Sequence, residues 1–248
     1  MFTIYGHRGL PSKAPENTLA SYKQAASVPG LKWIELDVAI TKDEQLVMIH
    51  DDFLDRTTDM TGEVTQLEYA DMESASAGSW FGSEFKAERL PTFDEVIKMA
   101  NETQMNLNIE LKGVTGPNGV ALSESMVQLV ADKLKKLDKN LKVLISSFNV
   151  YLVKLAETYM PSYQRAVIFK AAAFQGDWRT ILNFCGSKIV NIEDAQLSQA
   201  RVKMIKHAGY TLNVWTVNKP SRANQLANWG VDGIFTDRAH EMIHLERP

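Results

Sequence analysis

A single cysteine in 248 residues, Cys185, excludes an internal disulfide. Its setting, Asn183-Phe184-Cys185-Gly186, reads as a small buried hydrophobe at a helix end rather than as a nucleophile. No apolar run approaches the roughly 18–20 residues of a membrane-crossing helix, so stable membrane insertion is not expected. Charge of one sign is not in excess either. The 27 basic and 30 acidic side chains leave a formal net charge of −3, which gives no reason to expect nucleic acid or an acidic membrane as the main partner. A small molecule fits better. No Pro/Gly/Ser-rich linker divides the chain, and residues 1–248 read as one domain. The first residues, Met1-Phe2-Thr3-Ile4-Tyr5-Gly6-His7, leave no room for the regions of a secretory leader, which makes the cytoplasm the expected compartment. Composition leaves monomer and oligomer both open.

What the chain does have is a regular alternation. Short β-rich apolar runs at 2–5, 33–40, 107–111, 143–146, 166–169, 188–192, 211–217 and 233–236 give eight strands. Between them, stretches at 16–26, 93–102, 123–137, 150–159, 178–184, 199–208 and 222–229 carry apolar residues at helical spacing. Strand-then-helix alternation implies parallel strands with crossover helices, and eight such units in this length match an α/β TIM barrel, (β/α)8. One interval is too long for a single unit. It holds an extra strand at 46–50 after strand 2 and a largely polar insertion subdomain at 51–89. Thr92 with Glu95 then has the pattern of a capping box at a helix start.

Charges interrupt the apolar runs at particular places. Residues i and i+2 of a strand share a face, so Glu35 lies with Asp37, and Glu110 with Lys112. Three carboxylates on neighbouring strands would repel one another unless protonation or a cation relieved them. The ligands are hard oxygens, which suits one divalent cation, Mg²⁺ or Ca²⁺. The alternative is an ion-paired barrel mouth in which Arg8 and Lys112 neutralise the acids. Two cationic side chains beside a metal suit a phosphate oxyanion better than a neutral carbonyl. His7 and His50 end separate runs, and two imidazoles can supply the base and the acid that cleavage of a phosphodiester needs. His207, His240 and His244 fall on helical or terminal segments and read as surface residues.

In order along the chain, His7-Arg8-Gly9, Pro15-Glu16-Asn17-Thr18, Glu35-Leu36-Asp37, His50-Asp51 and Glu110-Leu111-Lys112 closely resemble the glycerophosphodiester phosphodiesterase family, in its cytosolic bacterial form. Leu90-Pro91-Thr92, Ser146-Ser147-Phe148, Trp215-Thr216-Val217-Asn218 and Gly230 to Asp237 support the match. The resemblance implies a TIM barrel that hydrolyses glycerophosphodiesters to glycerol 3-phosphate and an alcohol. It implies Glu35, Asp37 and Glu110 as metal ligands, His7 and His50 as the acid–base pair, Arg8 and Lys112 on the phosphate, and Phe148 and Trp215 near the glycerol or leaving group. Glu16-Asn17-Thr18 would steady the first loop. The expected route uses the glycerol 2-hydroxyl as internal nucleophile and a cyclic phosphate that water then opens. The chain departs from the family pattern at Tyr5-Gly6 and in the Gly/Pro/Asn loop after Lys112, away from the catalytic positions. A lysophospholipase D or sphingomyelinase D would keep the same polar groups but need an apolar surface for an acyl chain. A barrel that only binds phosphate esters would lack one of them.

Overall fold

The computed structural model describes residues 2–247, so Met1 and Pro248, the ends of the expected domain, lie outside the described residues. The strands are β1 (Thr3–Gly6), β2 (Trp33–Ile40), β3 (Leu46–Met48), β4 (Asn106–Leu111), β5 (Val143–Ser147), β6 (Gln164–Phe169), β7 (Ile189–Glu193), β8 (Thr211–Trp215) and β9 (Gly233–Thr236). The helices are α1 (Leu19–Ala26), α2 (Tyr69–Met72), α3 (Phe93–Thr103), α4 (Gly119–Lys133), α5 (Val150–Tyr159), α6 (Trp178–Phe184), α7 (Gln199–His207), α8 (Pro220–Trp229) and α9 (Ala239–Met242).

The period of two along β2 explains how one strand serves two environments. Ile34, Leu36 and Val38 join the main apolar core, whereas Glu35 and Asp37 take the opposite face. Leu107, Ile109 and Leu111 of β4, Val190 and Ile192 of β7, and Leu212 and Val214 of β8 repeat the outward apolar set. Helix residues such as Tyr22, Phe93, Val127, Leu152, Val202 and Leu226 belong to the same core. All the strands except β3 are parallel and pair in the order β1-β2-β4-β5-β6-β7-β8-β9, with β9 returning to β1. This is a closed eight-stranded barrel wrapped in helices, the TIM-barrel arrangement that the βα alternation implies. β3 lies outside it, antiparallel on β2 from Val38↔Met48 to Ile40↔Leu46.

The barrel interior is graded. Trp33, Leu144, Ala166 and Ile189 form an apolar cluster toward the N-terminal ends of the strands. One layer up, Asn108 Nδ2 donates to Ser146 Oγ at 2.9 Å and Asn213 Nδ2 to Asn191 Oδ1 at 2.9 Å. This polar layer is the floor on which the charged residues sit.

Some boundaries differ from the sequence reading. α1 starts at Leu19, not at 16, because Thr18 is its N-cap, accepting from Ser21 N, and leaves Glu16 and Asn17 in the preceding loop. α4 runs Gly119–Lys133 rather than 123–137, its end tightening into a 3-10 turn at Leu134–Lys136. β3 stops at Met48 and β8 at Trp215, both short of the expected ends, and the short α9 has no counterpart in the sequence pattern. The box at the start of α3 is present, with Thr92 N–H donating to Glu95 Oε2 at 2.8 Å. The segment after β3 is less polar inside than its composition implies. Val47, Ile49, Leu54, Val64, Met72, Ala77 and Leu90 form a second small core there. Cys185 is buried, and burial raises its thiol to about 11, so it fits the packing role. His207 and His244 are exposed, but His240 is half-buried with its Nδ1 enclosed. No helix among the described residues is long and apolar enough to cross a membrane.

Candidate active site

His7 follows directly on β1, and the chain then turns sharply. Arg8 has φ 53° and Gly9 φ 93°. A Cβ at position 9 would stand 2.4 Å from Ser21 Oγ, so glycine is required there on two counts. The left-handed conformation at a non-glycine residue is uncommon and costs energy. Here it aims the Arg8 N–H at Glu35 Oε2, 2.8 Å away.

Oxygens of Glu35 and Asp37 from β2 and Glu110 from β4 all lie within 4.8 Å of one another, and all three side chains are buried. Lys112, just past β4, shares the Glu110 face as the period of two requires. Its Nζ lies 2.8 Å from Glu110 Oε1 and 3.5 Å from Asp37 Oδ1. Arg8 approaches from the other side, with Nε 3.3 Å from Asp37 Oδ2 and an Nη donating to Glu16 Oε1 at 2.7 Å. Asn17 Nδ2 donates to Asp37 Oδ2 at 2.8 Å, and Tyr22 in turn donates to Asn17 Oδ1.

The electrostatics are uneven. Burial and the neighbouring charges of Asp37 and Glu110 push the Glu35 carboxyl well above its ordinary value. Burial and Asp37 likewise raise Glu110. Asp37 is held below the usual range: burial opposes its charge, but Lys112 and Arg8 outweigh it. Burial also works against Lys112, yet Asp37 and Glu110 raise its ammonium above normal and keep it protonated. Two cations thus face three buried carboxylates, and Asp37 Oδ1 is buried without a hydrogen bond. An oxygen-only set with a buried acceptor unsatisfied and two carboxyls raised by their neighbours fits a hard divalent cation.

His50 reaches the same mouth from β3. Ile49 N–H donates to the Asp37 carbonyl at 3.2 Å, which sets the next residue beside the end of β2. Both histidines hold Nδ1 against a carboxylate: His7 on Asp237 at 2.7 Å, His50 on Asp51 at 2.6 Å. With Nδ1 engaged, Nε2 of each ring is the nitrogen left to exchange a proton with another group. Asp237 is fixed by Asn218 Nδ2, and its own N–H donates to Asn218 Oδ1 at 2.9 Å. Asp51 is drawn down to about 2, chiefly by its hydrogen bond from Arg56. Burial lowers His50 below its ordinary value, favouring the neutral ring.

His7, Arg8, Glu35, His50, Glu110 and Lys112 line one cavity of about 450 Å³ together with Phe148 and Trp215. The two rings meet edge to face, 5.4 Å apart at 88°. Lys170 and Glu193 also face it. Eight of the nine expected site residues thus line one cavity, and the ninth, Asp37, lies against Arg8 and Lys112. The sequence assigned no part to Asp237, Asn218 or Arg56. Asp237 directly follows β9, where the rule that active groups follow barrel strands would have found it. Arg56 lies in irregular chain, where spacing says nothing about direction.

The chain matches the model of the glycerophosphoryl diester phosphodiesterase family over residues 7–241. It is 31% identical over 244 residues to a glycerophosphodiester phosphodiesterase of Caldanaerobacter subterraneus subsp. tengcongensis, covering 98% of this chain and 97% of the relative. To the glycerophosphodiester phosphodiesterase of Bacillus altitudinis it is 30% identical over 238 residues, 96% of this chain and 95% of the other. Its fold superposes with TM-score 0.90 on an Oleispira antarctica phosphodiesterase solved with the product sn-glycerol-3-phosphate, at 32% identity, covering 98% of this chain and 96% of that one.

Proposed function

The chain belongs to the glycerophosphoryl diester phosphodiesterase family, and from that premise we propose how it cleaves a glycerophosphodiester to glycerol 3-phosphate and an alcohol. Glu35, Asp37 and Glu110 would hold one divalent cation, Mg²⁺ or Ca²⁺. When bound, the cation supplies charge neutralisation at the phosphate and orientation of the glycerol hydroxyls. Arg8 and Lys112 flank that position and hold the phosphate oxygens. One of His7 and His50 takes the proton of the glycerol 2-hydroxyl as that oxygen attacks phosphorus, and the other protonates the departing alcohol. A cyclic phosphate results, and water opens it with the two rings exchanging roles. Holding the 2-hydroxyl beside phosphorus makes the first step intramolecular, which lowers the entropic part of its barrier. Phe148 and Trp215 shield the carbon skeleton from water.

The observation that carries this reading is the pair of carboxylate-oriented histidines facing the Arg8–Lys112 pair across one cavity. It is tested by measuring glycerol 3-phosphate released from glycerophosphocholine, glycerophosphoethanolamine, glycerophosphoglycerol and glycerophosphoinositol, with EDTA and with Mg²⁺ or Ca²⁺ restored. Release that EDTA abolishes and a cation restores is the expected result. Unchanged release in EDTA would remove the metal, and normal turnover of an analogue lacking the 2-hydroxyl would remove the cyclic route.

A further inference from the structure

Arg56 belongs to the segment between β3 and α3 and stands outside the cavity, yet it makes more charge-assisted bonds than any side chain within it. Its Nε and one Nη donate to Asp51 Oδ2 and Oδ1 at 2.6 and 3.0 Å. The two Nη atoms donate to Glu16 Oε1 and Oε2 at 2.8 and 3.0 Å. Both carboxylates are thus gripped by both oxygens. Asp51 in turn holds His50 Nδ1 at 2.6 Å, and Glu16 holds the Arg8 guanidinium at 2.7 Å. An unbroken chain of ionic hydrogen bonds, His50–Asp51–Arg56–Glu16–Arg8, therefore runs from a proton-transfer group to a phosphate-binding group. It joins the inserted segment to the loop after β1.

We propose that Arg56 is a positioning residue that sets His50 and Arg8 relative to each other. The inference rests on the phosphodiesterase reading above. A surface ion pair usually contributes little, because two flexible side chains must be ordered against water. This one differs in geometry. A planar guanidinium engaging two carboxylates at once is far more directional than a point charge, and lysine cannot reproduce the double fork. The Arg56 side chain is also 45% exposed, so its removal opens no large cavity and leaves the small core beneath intact. Asp51 without Arg56 is free to rotate away from His50. Glu16 without it has a single partner, and the Arg8 guanidinium gains the freedom Glu16 acquires. Neither loss touches substrate directly. Both misplace groups whose alignment matters most in the transition state, where misplacement by about 1 Å costs on the order of 100-fold.

The test compares wild type, Arg56→Ala, Arg56→Lys and His50→Ala on glycerophosphocholine with saturating Mg²⁺, alongside thermal denaturation of each. Arg56→Ala should lose about 10- to 100-fold in kcat with KM nearly unchanged. Its melting temperature should stay close to wild type, and added guanidinium should restore part of the rate. Arg56→Lys should fall between, and its kcat decides the matter if Arg56→Ala does not fold. Wild-type kcat in both Arg56 variants would overturn the inference alone. So would a kcat loss that tracks melting temperature and ignores guanidinium, since Arg56 would then be only a tether. An inactive wild type would overturn the phosphodiesterase reading, and a fully active His50→Ala the acid–base role of His50, and the inference falls with either.

Discussion

The unbalanced charge of the buried carboxylates makes a thermal prediction with a definite sign in pH. Glu35 and Glu110 have folded values raised above the ordinary 4.5, so between 4.5 and those raised values the folded chain binds protons that the unfolded chain has released. Their stabilising contribution is complete below 4.5 and is lost as pH rises through the folded values. Without a divalent cation the protein should therefore weaken as pH rises through the raised folded values of these two groups. A cation takes the protons' place, and its effect must grow in the same direction. At 100 times its dissociation constant a ligand of the folded state contributes about 2.7 kcal/mol. For a chain of this length 1 kcal/mol moves Tm by roughly 2–4 °C, so a rise of about 5–11 °C is expected at pH 8. Each proton displaced weakens the cation by up to about 1.4 kcal/mol per pH unit below the raised values. At pH 5 the same cation concentration should move Tm little.

Differential scanning fluorimetry with EDTA, Mg²⁺ and Ca²⁺ at the two pH values measures this directly. Glu35→Gln is the informative control. It keeps an acceptor for the Arg8 N–H, removes a buried charge, and should raise cation-free stability at pH 8 while erasing the response to cation. A Tm increment equal at both pH values, or undiminished in Glu35→Gln, would refute the assignment of the triad.

Other expectations follow from the same geometry. His7→Ala and His50→Ala should each lose about 10²- to 10⁴-fold in kcat, read by glycerol 3-phosphate release. Lys112→Gln leaves Glu110 and Asp37 facing each other with one cation fewer, and should cost about 10²-fold in kcat/KM while strengthening the protein's requirement for metal. Asp237→Asn cannot hold His7 as a carboxylate does and should lower kcat about 10- to 100-fold, with KM little changed. Leu36→Ala empties a fully buried site on the outward face of β2, and should cost about 2–5 kcal/mol in urea denaturation without altering KM. Glycerophosphocholine should be cleaved faster than lysophosphatidylcholine. A preference for the lipid would point to the lysophospholipase D reading.

Much of the site was legible because strands enforce a period of two. Glu35 with Asp37, and Glu110 with Lys112, could be set on one surface from spacing alone, and the barrel rule put that surface at the mouth. The Thr92–Glu95 box was legible because capping chemistry is local. Loops carry no such period. Glu16 and Asn17 look like the first turn of α1, yet their side chains are held by Arg8, Arg56 and Asp37, and the helix waits for Thr18. The small core of the inserted segment is hidden for the same reason. Leu54, Val64, Met72 and Ala77 come together through irregular backbone, and no repeat in the sequence announces it.

The His7–Asp237 contact has a meaning for how the molecule is made. It spans 230 positions, and β1 takes its register from both β2 and β9. In order of synthesis, His7 precedes its orienting carboxylate by the whole length of the barrel. Until β9 docks, Glu35, Asp37 and Glu110 can gather, but the His7 ring lacks the carboxylate that orients it. The orientation of this ring is thus set only once β9 has closed the barrel against β1.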